Sequence, residues 1–183
     1  MKDVVILNFS GRTGGNCSSI ADYISNKYKR TNVHVVRVAD YFGPCGKCRY
    51  ECLQKELFCP RIGNEHQNIM ESVCASDVTY YLIPNYCGLP CANYYAFNER
   101  IVGWFNGNRE KMQRYLESDK KFIFISNTEN DAFYQVTKQH ATNNSEILYL
   151  ASRKYSKSSI AGDLLQSDAA QSDLDCFLGL DNG

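Results

Sequence analysis

The chain has 183 residues, 44% of them hydrophobic and 22% charged, enough to bury a sizeable core, so one domain spanning residues 1–183 is expected. Twenty Lys and Arg balance 20 Asp and Glu, and a formal charge of zero excludes binding by broad phosphate neutralisation, so neither nucleic acid nor a membrane surface is expected as partner. The longest apolar run, residues 147–151, is far short of the roughly 18 residues that span a bilayer, and the N-terminus lacks the basic-then-apolar pattern of a signal peptide. A soluble, cytoplasmic protein is the expectation.

Runs of strand length, rich in β-branched and aromatic residues, occur at residues 4–7, 33–38, 78–83, 122–125 and 147–150. Between them lie segments with helical periodicity: residues 16–29 with Ile20, Ile24 and Tyr28 on one face, then 64–74, 92–105 and about 130–142. Continuous apolar strands alternating with helices predict a parallel sheet covered on both faces, an α/β three-layer sandwich. A last helix is expected near residues 167–178, followed by a frayed tail. Two stretches are long for loops, 39–63 and 106–119, the second of which could extend the third helix.

After the first strand comes Asn8-Phe9-Ser10-Gly11-Arg12-Thr13-Gly14-Gly15-Asn16-Cys17-Ser18-Ser19, and a helix begins at once. Glycines let backbone N–H groups converge on an anion, hydroxyls add donors, and the helix start adds its positive dipole end, so a phosphate can sit here. The spacing is neither the dinucleotide nor the nucleoside-triphosphate signature. The same residues also suit a plain strand-to-helix turn capped by Asn16 or Ser18.

Nine cysteines in a chain without a secretion signal argue for thiol, redox or metal chemistry and against a disulfide framework. Cys45, Cys48, Cys52 and Cys59 crowd into the loop at 39–63 and are expected to act as one unit. Four thiolates there could hold zinc tetrahedrally, could hold iron and sulfide, or could remain metal-free thiols. Cys74 and Cys176 are expected to be buried structural residues. His34 is expected to pack within the second strand, and His66 and His140 lie at helix ends, where none suggests a ligand.

The third strand runs into Pro84-Asn85-Tyr86-Cys87-Gly88-Leu89-Pro90-Cys91-Ala92, expected as a rigid loop before the third helix. In a doubly wound sheet of order 2-1-3-4-5 the carboxyl ends of strands one and three flank the topological switch point, where ligands bind. Tyr94, Phe97, Trp104 and Phe105 make an aromatic face on the helix that follows, a core or subunit contact. The loop after the fourth strand, Ser126-Asn127-Thr128-Glu129-Asn130, is the third candidate contact. No Ser-His-Asp or Cys-His arrangement is readable, so no dedicated catalytic side chain is expected.

With these segments side by side, residues 3–150 resemble the flavodoxin-like NAD(P)H-dependent FMN reductases, including their iron-sulfur flavoprotein branch. Ser10 to Cys17 is similar to the family's G-S-P-R-x-x-G-N-T/S phosphate loop. Pro84 to Ala92, followed by Phe97-Asn98-Glu99-Arg100, resembles P-x-Y-x-G-x-x-S-A leading to F-x-D-R. The resemblance implies a flavodoxin-like fold with a five-stranded parallel sheet. It implies that Ser10, Arg12, Gly15, Asn16, Cys17 and Ser18 hold the FMN phosphate, that Pro84, Asn85, Tyr86, Cys87 and Gly88 line the flavin ring with Asn127 nearby, and that Arg100 sits after the helix in a structural role. For Cys45, Cys48, Cys52 and Cys59 it implies a [4Fe-4S] cluster, although the middle gap is one residue longer than the family's. Cys17 stands where relatives carry Thr or Ser, and glycines many relatives use after the fourth strand are missing.

The implied function is an NAD(P)H-dependent FMN oxidoreductase that passes electrons to a small molecule, a protein acceptor or an iron-sulfur centre, in a homodimer or higher homo-oligomer. The alternatives are a non-catalytic electron carrier like flavodoxin, against which zero net charge speaks mildly, and a metal-stabilised interaction module that has lost the flavin.

Overall fold

The computed structural model describes residues 2–28, 32–41, 45–46, 48–54, 59, 63–105, 107–129, 131–138 and 145–179. Six strands form the sheet: β1 (Asp3–Asn8), β2 (Asn32–Arg37), β3 (Val78–Tyr86), β4 (Leu89–Pro90), β5 (Lys120–Ser126) and β6 (Ser145–Ala151). Five of them are parallel in the order β2-β1-β3-β5-β6, and β4 pairs antiparallel with the end of β3. With β4 set aside, this is the expected order 2-1-3-4-5, and the fold is flavodoxin-like. Among the described residues six α-helices accompany the sheet: α1 (Asn16–Lys27), α2 (Asn64–Ala75), α3 (Ala92–Phe105), α4 (Arg109–Glu117), α5 (Asp131–Lys138) and α6 (Asp168–Leu178).

Side chains alternate across each strand, so a run such as Val4-Val5-Ile6-Leu7 feeds two cores. Val5 and Leu7 pack with Ile69, Met70 and Val73 of α2, with Tyr94, Phe97, Ile101 and Trp104 of α3 and with Tyr115 of α4. Val4 and Ile6 pack on the other face with Ile20, Ala21 and Ile24 of α1 and with Ala170, Leu174 and Leu178 of α6. The aromatic face of α3 is therefore core: Phe97 meets Phe9 edge-on at 5.5 Å between ring centroids. Phe9 itself stacks on Tyr81 at 5.8 Å.

Several expectations are corrected. The segment 106–119 is not an extension of α3 but holds a separate helix, α4, whose cap is Asn108; its side chain accepts from the N–H of Lys111. Strand β3 does not stop at Ile83 but continues to Tyr86 and folds back as a hairpin, with Asn85 opposite Pro90 and Tyr86 opposite Leu89. Arg100 lies inside α3 and not after it. His34 is exposed, because β2 is an edge strand. Cys176 is exposed as well: Leu174 and Leu178 turn into the core, and position 176, about 200° around the helix from 174, faces out. Cys74 is half-buried against the α2–α4 core. His140 and the expected end of the fourth helix at 142 lie outside the described residues, as does the tail beyond 179. No helix among the described residues is long and apolar enough to cross a membrane.

Candidate functional site

The glycine-rich loop leaves the carboxyl end of β1 and is braced from within. Asn8 Oδ1 accepts the N–H of Ser10 at 2.9 Å, and Ser10 Oγ accepts the N–H of Arg12 at 3.1 Å. Helix α1 then starts with Gly15 in the cap position, and no side chain caps it. Asn16 and Ser18 therefore do not act as caps. Among the described residues no acceptor meets the amide N–H groups of Gly14, Gly15, Asn16 or Cys17. A cluster of unsatisfied donors at the positive end of a helix dipole is suited to an anion.

The loop is tied to the second candidate segment through one carbonyl. Phe9 O accepts from Asn93 Nδ2 at 2.9 Å and from Cys91 Sγ at 3.3 Å, both at the start of α3. From the neighbouring strand, the β3–β4 hairpin turns at Cys87 and Gly88, with φ of +54° and +81°. Two successive left-handed residues make the tight turn that the strand twist favours. Asn85 Oδ1 closes it by accepting the N–H of Gly88 at 3.0 Å. Beyond β5, the hydroxyl of Ser126 donates to Thr128 O, and Asn127 O accepts the N–H of Arg153 at 3.0 Å.

These segments enclose one cavity of about 230 Å³ at the carboxyl ends of β1, β3 and β5. It brings together Ser10, Arg12, Gly15, Asn16, Cys17, Pro84, Asn85, Tyr86, Cys87 and Asn127. Ser18 and Gly88 are not on its wall: Ser18 Oγ accepts from Asn8 Nδ2 at 3.5 Å, and Gly88 sits in the hairpin turn. Tyr86 is 47% exposed at the rim, its ring available to a planar partner. Burial beside the Cys91 thiol pushes Cys17 up to about 12, so it presents a neutral thiol.

Sequence reading missed three wall residues: Ile125, Ser159 and Ile160. The last two come from residues 158–163, a polar stretch with no periodicity. Its only signals were a serine run and Gly162.

The four clustered cysteines line a second, much smaller cavity together with Gly46 and with Glu99, Arg100 and Gly103 of α3. Burial and the neighbouring thiols of Cys59, Cys45 and Cys48 raise Cys52 above the ordinary thiol range. The space between them is about 20 Å³. Among the described residues no three His, Cys, Asp or Glu side chains form a group that could hold a metal ion.

No protein-family model matches the sequence, and no curated protein matches it. Solved structures match the fold over nearly the whole chain. The Trp repressor binding protein from Bacillus subtilis is similar at a TM-score of 0.63 and 12% identity, covering 98% of this chain and 99% of that one. An azoreductase from Bacillus anthracis is similar at 0.59 and 7% identity, with 98% of each chain covered. The flavoenzyme NAD(P)H:(acceptor) oxidoreductase FerB from Paracoccus denitrificans is similar at 0.55 and 11% identity, covering 98% and 96%.

Proposed function

We propose that this protein is an NAD(P)H-dependent flavin oxidoreductase that binds FMN in the cavity at the carboxyl ends of β1, β3 and β5. The observation that carries the reading is the uncapped start of α1, whose first residues Gly15, Asn16 and Cys17 line the same cavity as Arg12, Asn85, Tyr86 and Asn127. In this reading the N–H groups of residues 14–17 and the Arg12 guanidinium hold the phosphate, with Ser10 braced beside them. The Tyr86 ring covers one side of the flavin ring, while Asn85 and Asn127 offer polar groups to its edge. FMN, when bound, accepts a hydride from the nicotinamide and passes electrons to an acceptor, so the chain need supply no acid or base of its own. Its part is to bind, orient and partly shield. The occurrence of a flavoenzyme oxidoreductase and an azoreductase among structures of the same fold supports this. The cysteine cavity has no step in it.

An anaerobic absorbance spectrum of protein loaded with FMN tests the proposal. Flavin bands that persist through gel filtration and bleach on adding NADPH or NADH are the expected result. Retained flavin that neither nucleotide bleaches would favour the electron carrier, and a protein that retains no flavin would overturn the proposal.

A further inference from the structure

Residues 158–163 lie across the glycine-rich loop and are fastened to it by the residues the resemblance assigns to phosphate. Asn16 is 3% exposed, and both ends of its amide are spent on this segment: Nδ2 donates to Ser158 O at 2.9 Å, and Oδ1 accepts the N–H of Leu164 at 3.0 Å. Arg12 Nη2 donates to Ile160 O at 3.0 Å. The segment is folded on itself as well, since Asp163 Oδ1 accepts the N–H of Ser158 at 3.2 Å and Ser158 Oγ accepts that of Ile160 at 3.2 Å. Its closest approach is backbone against backbone. A Cβ at Gly162, whose φ is +76°, would lie 2.8 Å from Gly14 O and 3.6 Å from Gly15 Cα. Only glycine fits there on both counts.

From these contacts we infer that residues 158–163 are a latched fourth wall that closes the cavity beyond the phosphate position and so restricts it to a flavin mononucleotide, with the Asn16 side chain positioning the wall and not binding the phosphate. The inference rests on the flavin reading of the same cavity and adds to it which part of the chain selects the ligand. The ring end of the cavity opens toward Tyr86 and Asn127, whereas at the glycine-loop end Ser159 and Ile160 stand beside Arg12 and Gly15. In this reading a second phosphate and adenosine, extending from the phosphate position, would run into this wall.

The test is a fluorescence titration of apo-protein with FMN, FAD and riboflavin, together with hydrogen exchange at Leu164. Wild type is expected to bind FMN at least about tenfold tighter than FAD, a ratio easily resolved in such titrations. Gly162→Val, which forces the wall off Gly14, should bring FMN and FAD to parity. Asp163→Ala opens the segment from within and is the second variant should Gly162→Val not fold. In flavin-free wild type the Leu164 amide should exchange slowly, and in Asn16→Ala it should exchange fast. Equal binding of FMN and FAD by wild type, or an unchanged ratio in a folded wall variant, overturns the selection while leaving flavin binding intact. Fast exchange at Leu164 in wild type overturns the latch. A wild type that binds no flavin overturns the proposed function and the selection with it, even with Leu164 protected.

Discussion

Glu99 accepts the backbone N–H of Cys45 at 2.8 Å through Oε2, so a carboxylate on α3 pins the start of the cysteine-rich segment to the body of the protein. The four cysteines of that segment line one small cavity with Glu99, Arg100 and Gly103 of α3. Thiol chemistry is the measurable property of such a shared cavity.

Reactivity should follow exposure and thiolate fraction. In an alkylation time course at pH 8 read by mass spectrometry, the exposed Cys45, Cys87 and Cys176 are expected to be modified first. Cys17, buried and pushed up to about 12, carries on the order of one thiolate in 10⁴ at that pH and should react last, with Cys91. Equal rates across all nine would contradict the burial described.

His66 should make the fold acid-sensitive. Burial, reinforced by the Arg100 guanidinium, lowers it from the ordinary 6.5 to about 4. Because the folded state holds this proton less tightly than the unfolded chain, stability is full above pH 6.5 and declines as pH falls toward 4, by about 3 kcal/mol in all. Denaturant midpoints across that window should fall in wild type and stay flatter in His66→Gln.

Lys120 works in the opposite half of the pH scale. Its side chain is fully buried at the start of β5 and donates to Tyr115 O and to Ser118 O, closing the carbonyl end of α4. Burial lowers it to about 8. Charging it in the fold costs about 3 kcal/mol below that pH, and the cost fades as pH rises from 8 toward 10.5. Two hydrogen bonds from a charged donor, each worth about 1.5–3 kcal/mol, offset the cost at neutral pH. Lys120→Met should therefore be close to wild type at pH 7, and only wild type should gain stability between pH 8 and 10.

Cys87 occupies a left-handed position that asparagine adopts more readily, at the first site of a two-residue hairpin turn followed by glycine. Cys87→Asn is expected to stabilise by about 0.5–1 kcal/mol, which in a chain of this size raises the melting temperature by about 1–4 °C. A lower melting temperature in calorimetry would show that the thiol contributes packing that the turn geometry does not reveal.

Much of this was legible in the residues. Strands β1, β3 and β5 could be read because each is an apolar run buried on both faces, and α3 because Pro90 and Cys91 stop the chain before a periodic aromatic face begins. Helix α4 was hidden by its own polarity: of its side chains Tyr115 reaches the core, and the useful sign was the cap at Asn108. The hairpin was hidden by Pro90, which reads as a breaker although it sits in the short β4. Nine wall residues of the cavity were expected because glycine and proline mark the two loops, and a tenth, Asn127, because its loop follows the neighbouring strand. Ser159 and Ile160 were not, because their place depends on hydrogen bonds to Arg12 and Asn16, far away in sequence.

The latch between the two ends of the chain also sets an order of events. Asn16 meets Leu164 and Tyr23 meets Asp175 across 148 and 152 residues of sequence. Contacts of such separation are slow to find and cannot form while the polypeptide is still being made. At synthesis rates of roughly 5–20 residues per second, the glycine-rich loop waits about 7–30 s for its far wall. During that interval the core that Ile20 and Ile24 share with β1 and β3 lacks Leu164, Ala170, Leu174 and Leu178, which complete it. A truncation that removes α6 would leave that core open for good, with aggregation rather than a smaller working protein as the outcome.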